Sequence, residues 1–280
     1  MTPRADKPAA HNDRLSTMPP AAAGPPAAAS SPSGATPSSV AVAAPVAADL
    51  LAQLRAKANA ENAAGMARFG IASEGTLGVS MPVVRSLASD GKRRLGRDKL
   101  ARHELARLLW DSGLHEARIM ASLVDEPTLV DEAQADAWVA VLDSWDVCDQ
   151  LCINLLRRTS FAWDKAAEWT ASEPEFVKRA GFAMIATLAV HEKSASDERF
   201  LTLLACAERE ATDARNGVKK ALNWAVRGIG KRNAALNAAA IETCERILAE
   251  HAESTTARWV ARDALRELRS DALRTRLGLA

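Results

Sequence analysis

The sequence predicts an all-α protein built from packed helix pairs, and three observations support this. Apolar residues recur every three to four positions from about residue 47 almost to the end, and no stretch alternates with a period of two. The chain is 48% hydrophobic but only 4% aromatic, so alanine supplies much of the apolar content, and alanine favours helices over strands. Pro82, Pro127 and Pro174 are the only prolines after residue 46, each where a helix begins or a turn is expected.

The N-terminal segment has a different composition. Nine of the twelve prolines fall before residue 46, in a stretch that is also rich in Ala, Ser and Gly. Such a stretch buries too little apolar surface to offset the entropy lost on ordering. We therefore predict a disordered tail over residues 1–46 and a single helical domain over residues 47–280.

The helices of this domain follow from the apolar spacing. From about residue 98 they form antiparallel pairs whose second members begin near residues 114, 145, 174, 215 and 255, a period of about 30–40 residues that is typical of HEAT-type solenoids. The second helices of a solenoid line a concave surface, whereas a globular bundle is the alternative arrangement. Helices are expected near 47–65, 81–92, 98–111, 114–124, 131–142, 145–157, 161–171, 174–191, 196–210, 215–231, 234–250 and 255–269.

Composition narrows the possible partners. The net charge is +1, so an anionic ligand must be held by a local cluster of cations. Four cysteines are too few for a disulfide framework, and Cys148 and Cys152 are best explained as small buried residues, so neither a metal nor a cofactor is expected. We expect no apolar stretch to reach the roughly 18 residues that span a bilayer. We expect a cytoplasmic monomer with no membrane partner.

The helix predicted over Arg215 to Asn233 carries an unusual stripe. At 100° per residue, Lys220, Trp224, Arg227 and Lys231 cluster within an arc of about 60°, opposite the apolar face of this helix. A tryptophan among three cations suits phosphates and a nucleotide. A solvated face with one tryptophan packed on Lys and Arg stems is the alternative.

Two further segments carry candidate chemistry. Trp145 and Asp149 are four residues apart and share a helical face, where an indole and a fixed negative charge can stabilise a developing cation. The alternative is a core tryptophan beside a surface carboxylate. Lys178 and Arg179 begin a nearly all-apolar helix, and Arg179 can reach a phosphate or a carboxylate bidentately or remain a plain surface residue.

These segments together resemble the AlkD-type DNA alkylation repair family. The likeness extends over about residues 50–270, and it implies a HEAT-like solenoid that acts as a DNA glycosylase on cationic N3- or N7-alkylated purines. The chain differs in Cys148, where active members often have an apolar residue, and in having one tryptophan where they often have two. The resemblance rests on RFGIASEGTLGVSMPVVR, WDVCD, FVKRAGF, DARNGVKKALNWAVRGIGKRN and ARWVARDALREL.

The resemblance also implies roles for individual residues. Asp149 supplies negative charge and holds a water, Trp145 and Trp224 pack against the deoxyribose, and Arg179 holds a phosphate. By the same resemblance, the lesion is expected to be excised without swinging the base into a deep pocket, unlike in most enzymes that act on bases. Lys178 and the stripe cations named above are the expected DNA contacts, and the protein is expected at the nucleoid when bound to double-stranded DNA.

Two other functions fit the same sequence. A non-catalytic DNA-binding protein would use the same cations without needing Asp149. A protein-interaction scaffold is common among helical solenoids and would use the concave surface for a protein partner.

Overall fold

The computed structural model describes residues 37–71 and 74–279, and fourteen α-helices lie within them. The first seven are α1 (Pro37–Ala56), α2 (Ala60–Ala67), α3 (Met81–Leu95), α4 (Lys99–Asp111), α5 (His115–Val124), α6 (Glu132–Ala140) and α7 (Trp145–Asn154). The remaining seven are α8 (Ala162–Thr170), α9 (Glu175–His191), α10 (Asp197–Arg209), α11 (Asn216–Gly230), α12 (Ala234–Glu250), α13 (Thr255–Leu268) and α14 (Asp271–Arg276).

The helices pack in two layers, as a HEAT-like repeat array requires. Helices α3, α5, α7, α9, α11 and α13 contact one another in that order, and we call them the site layer. Helices α4, α6, α8, α10 and α12 form the back layer, in which successive members are joined by side-chain contacts such as the stacked rings of Trp110 and Trp138. The core lies between the two layers and is made largely of leucine, alanine, valine and isoleucine.

Helix α9 lies at the centre of the array, in agreement with its nearly all-apolar sequence. Twelve consecutive residues from Lys178 to Ala189 are buried. A Cβ at Gly181 would lie 2.6 Å from the backbone nitrogen of Thr170, so only glycine permits this close approach of α9 to α8. Local signals set the helix ends: Asn233 and Asp98, for example, accept hydrogen bonds from backbone N–H groups of the first turns of α12 and α4.

The N-terminal boundary predicted at residue 46 is wrong for residues 37–46, whereas residues 1–36 of the predicted tail lie outside the described residues. Helix α1 begins at Pro37, and it ends at Ala56 instead of continuing to residue 65. Its buried positions include Ala43, Val46 and Leu50, at the spacing of one helical face, which packs against α3 and α4. Tertiary burial therefore outweighs the hydrogen bond lost at Pro45, a residue exposed on the other side of the helix.

Helix α1 also corrects the expectation about membrane-spanning length. Among the described residues, Ser38–Ala56 is long and apolar enough to cross a bilayer, with a mean hydropathy of 1.3. A core helix has the same properties, and the contacts of Leu50 and Leu54 with the rest of the domain account for its apolar face. The short α14 was not predicted, because six residues carry too little periodicity to be recognised.

Candidate active site

Trp145, Asp149 and Arg179 line one cavity on the solvent side of the site layer. The cavity has a volume of about 680 Å³ and is bounded by α7, α9, the start of α11 and the segment after α2. Lys220 lines the same cavity from α11. Residues that are up to 75 positions apart in the sequence are therefore brought to one place by the stacking of three neighbouring helices.

Asp149 is held in this cavity by Arg179. Nη2 of Arg179 donates to both carboxylate oxygens of Asp149, at 2.9 Å each. Burial raises the pKa of Asp149 to about 6, the charge and hydrogen bonds of Arg179 oppose this rise, and the charge of Asp146 adds to it. Asp149 is therefore mostly ionised at neutral pH, but its charge is sensitive to small changes around it.

Arg179 joins three helices of the site layer. Its Nη1 donates to the carbonyl oxygen of Gly217 on α11 at 2.7 Å, while Nη2 reaches Asp149 on α7. Its guanidinium carbon lies 6.0 Å from the ring centroid of Trp145. Because Arg179 is only 5% exposed and both terminal nitrogens have protein acceptors, its first role in this structure is to position Asp149. The phosphate contact expected from the sequence stays a prediction.

Trp145 presents an aromatic face to the cavity. Its side chain is 38% exposed, and its Nε1 donates to the carbonyl oxygen of Phe69 at 2.9 Å. This hydrogen bond fixes the polar edge of the indole and leaves the apolar ring for a ligand. The interpretation of Trp145 as a core residue is therefore wrong.

The fourth predicted member, Trp224, is not among the residues that line the cavity. It lies on α11 one turn after Lys220, half-buried and packed against the core. The helical stripe thus runs from the cavity along α11, and Trp224 adjoins the cavity without forming its wall.

The predicted DNA contacts differ in how available their charges are. Lys220 is exposed at the cavity, whereas Arg227 and Lys231 share one carboxylate, Glu267, at 2.6 and 2.8 Å. Both remain about one-third exposed, since their side-chain exposures are 30% and 32%. Lys220, Arg227 and Lys231 all stay candidates for DNA contact. Glu267 neutralises part of the charge of Arg227 and Lys231.

Lys178 is excluded from this set by its position. It is 6% exposed, and its amine lies 2.5 Å from Glu210 and 3.4 Å from Asp213. The physical reason is the 100° step between neighbours on a helix: Arg179 faces the cavity, so Lys178 faces the acidic residues at the end of α10. The prediction that Lys178 binds DNA is wrong for this structure.

Phe69 and Arg68 are cavity residues that the sequence reasoning missed. Phe69 is 74% exposed and its carbonyl oxygen accepts the hydrogen bond of Trp145, so a second aromatic residue lies beside Trp145 at the rim of the cavity. Its only sequence signal was an aromatic residue within the Gly-rich segment after α2. A similar contact was missed at Asp146, whose Oδ2 lies 2.8 Å from Nε2 of His115 on α5.

Comparison with known proteins decides the family. A family model described as a DNA alkylation repair enzyme matches residues 50–268. The chain belongs to this DNA alkylation repair family. The match covers every helix from α2 to α13 and therefore includes the whole cavity, which confirms the resemblance found in the sequence.

A solved structure supports the fold of this DNA alkylation repair protein. It is described as belonging to a new family of proteins related to the HEAT-like repeat DNA glycosylases, with affinity for branched DNA structures. The two share 19% sequence identity with a TM-score of 0.60, over 70% of this chain and 81% of the other. No curated protein matches the chain significantly. The predicted HEAT-like solenoid is confirmed over the described residues.

Proposed function

We propose that this member of the DNA alkylation repair family is a DNA glycosylase that removes cationic N3- or N7-alkylated purines from double-stranded DNA. The observation that carries the proposal is the convergence of Trp145, Asp149 and Arg179 on one cavity, with the carboxylate mostly shielded from water and fixed by the guanidinium. A purely structural role for these residues would not explain why an exposed indole lies beside a mostly buried carboxylate.

The chemistry needs no acid, because the alkylated base already carries a positive charge. The bond between C1′ and the base nitrogen breaks, both electrons go to the base, and the base leaves neutral. The sugar then carries oxocarbenium-like charge, which the carboxylate of Asp149 stabilises more strongly in the desolvated cavity than in bulk water. Water adds at C1′ and passes its proton to Asp149 and from there to solvent.

The surrounding residues position the sugar and its strand. The ring of Trp145 offers a flat apolar face for the deoxyribose, and the exposed Phe69 lies next to it at the rim. Lys220 and Arg68 are exposed cations that line the cavity, and both are suited to phosphates of the lesion strand. Arg179 keeps Asp149 ionised while screening part of its charge.

The test is base release from methylated duplex DNA by the Asp149→Asn variant. The variant keeps the shape of the side chain and loses its charge, so we expect release to fall by about 10²–10³-fold, as for other single preorganised groups. Duplex binding should be kept. Asp143→Asn is the matched control, since Asp143 lies two residues before Trp145, is 54% exposed in its side chain and does not line the cavity.

A second candidate is a DNA-binding protein without base release. It is favoured by the description of the structural neighbour, whose stated property is affinity for branched DNA. A wild-type protein that binds duplex or branched DNA but releases no alkylated base would replace the glycosylase with this function. Asp149→Asn would then leave binding unchanged.

A further inference from the structure

Helix α13 exposes a basic face that the proposed active site does not use. Three of its arginines are spaced four positions apart on one side of the helix, and Trp259 beside them is 42% exposed. A groove of about 490 Å³ lies over this face. We call it the α13 patch, and it consists of Arg258, Trp259, Arg262 and Arg266 together with Lys219 of α11.

Two arginines of the α13 patch are exposed, whereas Arg258 is half-buried and donates to the carbonyl oxygen of Ala252. Arg262 is exposed and forms no hydrogen bond or ion pair with any described residue, and Arg266 pairs with Asp263 of its own helix. The amine of Lys219 lies 5.5 Å from the ring centroid of Trp259. Four cations therefore face one carboxylate around an exposed indole, so the ligand that complements this surface is an anion.

Helix α13 is fixed beside the active site. It packs against α11, where Asn223 donates to the carbonyl oxygen of Val260 at 3.0 Å and Arg227 pairs with Glu267 at 2.6 Å. Lys219 of α11 belongs to the α13 patch, and the next residue along α11 lines the cavity. A ligand that lies along the exposed side of α11 can therefore reach both the cavity and the α13 patch.

The distance from the cavity to the α13 patch can be estimated from the usual separation of packed helices. Neighbouring helices pack about 8–10 Å apart, so α13 lies about 16–20 Å from α9 and its Arg179. Each strand of duplex DNA advances 3.4 Å per nucleotide, so this distance corresponds to about five nucleotides.

We propose that the α13 patch binds the sugar–phosphate backbone of duplex DNA about five base pairs from the nucleotide in the active-site cavity. The arginines and Lys219 contact phosphates, and Trp259 packs against sugar. The proposal rests on the DNA-binding part of the proposed function. An exposed indole among cations, continuous with the layer that carries Lys220, matches a nucleic-acid backbone better than an acidic peptide, which would need no aromatic surface.

The test measures by fluorescence anisotropy how the affinity for an undamaged, fluorescein-labelled duplex of about 20 base pairs depends on salt concentration. The wild type is compared with variants of the α13 patch. In the Arg262→Gln/Arg266→Gln variant we expect the slope of log K against log salt to fall by about 1.8, since each phosphate contact contributes about 0.9. The loss of affinity should therefore be about tenfold larger at about 50 mM salt than at about 200 mM. Trp259→Leu should weaken binding at both salt concentrations without changing the slope.

The matched control removes two exposed cations from the back layer. Arg199→Gln/Arg246→Gln has the same change in net charge, and Arg199 also lies over a tryptophan, Trp163, at 4.1 Å. This control should keep the wild-type slope. All substituted side chains of the patch are exposed, and thermal melts of each variant check that the fold is kept.

Several results would overturn the proposal. It fails if the Arg262→Gln/Arg266→Gln variant keeps the wild-type salt slope, or if the control variant shows an equal decrease in that slope. It also fails if the wild-type protein does not bind the duplex. It also fails if poly-glutamate competes as well as unlabelled duplex at equal charge. Base release measured at saturating protein separates the two proposals. If the wild type releases base and the α13 variants bind duplex as the wild type does, the proposal for the α13 patch is refuted and the glycosylase is not. If binding depends on the α13 patch but no base is released, the glycosylase is refuted and the α13 proposal is not.

Discussion

Replacing Arg179 by leucine tests whether this residue acts through Asp149 or through a phosphate. The substitution removes both hydrogen bonds that hold the carboxylate, each 2.9 Å long, and the bond to Gly217. Asp149 stays in the cavity without its nearby positive charge. Because that charge lowers the pKa of Asp149, its removal raises this pKa further above about 6.

The magnitude follows from the usual strength of such a pair. An opposite charge within hydrogen-bonding distance lowers the pKa of a carboxyl by about one to three pH units. Base release requires ionised Asp149, so activity is present above its pKa in the folded protein and is lost as pH falls through it. In the wild type this loss is centred near the pKa of about 6. In Arg179→Leu the midpoint should move up by about one to three pH units, so that release at neutral pH falls by about 2-fold to 100-fold.

The assay is single-turnover base release from methylated duplex DNA between about pH 5 and 9, with protein in excess. Alkaline pH should restore most of the activity of Arg179→Leu, and Arg179→Lys should keep a midpoint close to that of the wild type because it retains the charge. A uniform loss across the pH range, with the midpoint unmoved, would refute this reasoning. It would instead favour the phosphate contact expected from the sequence.

Three further substitutions probe the surroundings of the site. Lys178→Met removes the buried amine shared by Glu210 and Asp213, which keep Arg209 and Arg215 as partners, and should cost about 1–3 kcal/mol in urea denaturation, while the salt slope of DNA binding stays unchanged. Asp146→Asn removes a like charge that raises the pKa of Asp149, so the acid limb of the pH–rate profile should move to lower pH; a move to higher pH would contradict this. Gly181→Ala places a Cβ 2.6 Å from the backbone of α8 and should lower the free energy of unfolding by about 1–3 kcal/mol, measured in the same denaturation experiment.

Most helices could be predicted from the sequence, because apolar residues that recur every three to four positions indicate an amphipathic helix. From residue 81 onward, every predicted helix has a counterpart whose ends differ by only a few residues. The first helix could not be placed in this way. The segment before Pro45 has a weak pattern of small residues, and its helix is stabilised by distant contacts with α3 and α4, which local spacing does not reveal.

The pairing of Trp145 with Asp149 could also be read from the sequence, since residues four apart share a helical face. The side chains of other helices that face this pair could not be read from the sequence. Arg179 and Lys178 are adjacent, and only the orientation of α9 between α7, α11 and α10 decides that one holds Asp149 while the other is buried among carboxylates. Phe69 has no periodic signal at all, because it lies outside a helix and reaches the cavity through the packing of the chain after α2.

The sequence by itself therefore determined the helices from residue 81 to residue 269, the basic stripe of α11 and the resemblance to the family, since each of these depends on local order along the chain. The tertiary structure alone decided which of these residues meet. It places Asp149 in a partly desolvated cavity, where burial and Arg179 act on its pKa in opposite directions. It also leaves Trp224 beside that cavity and exposes Trp259 on the next helix of the site layer. These outcomes depend on the rotation of each helix against its neighbours, which is set by packing between segments far apart in the chain.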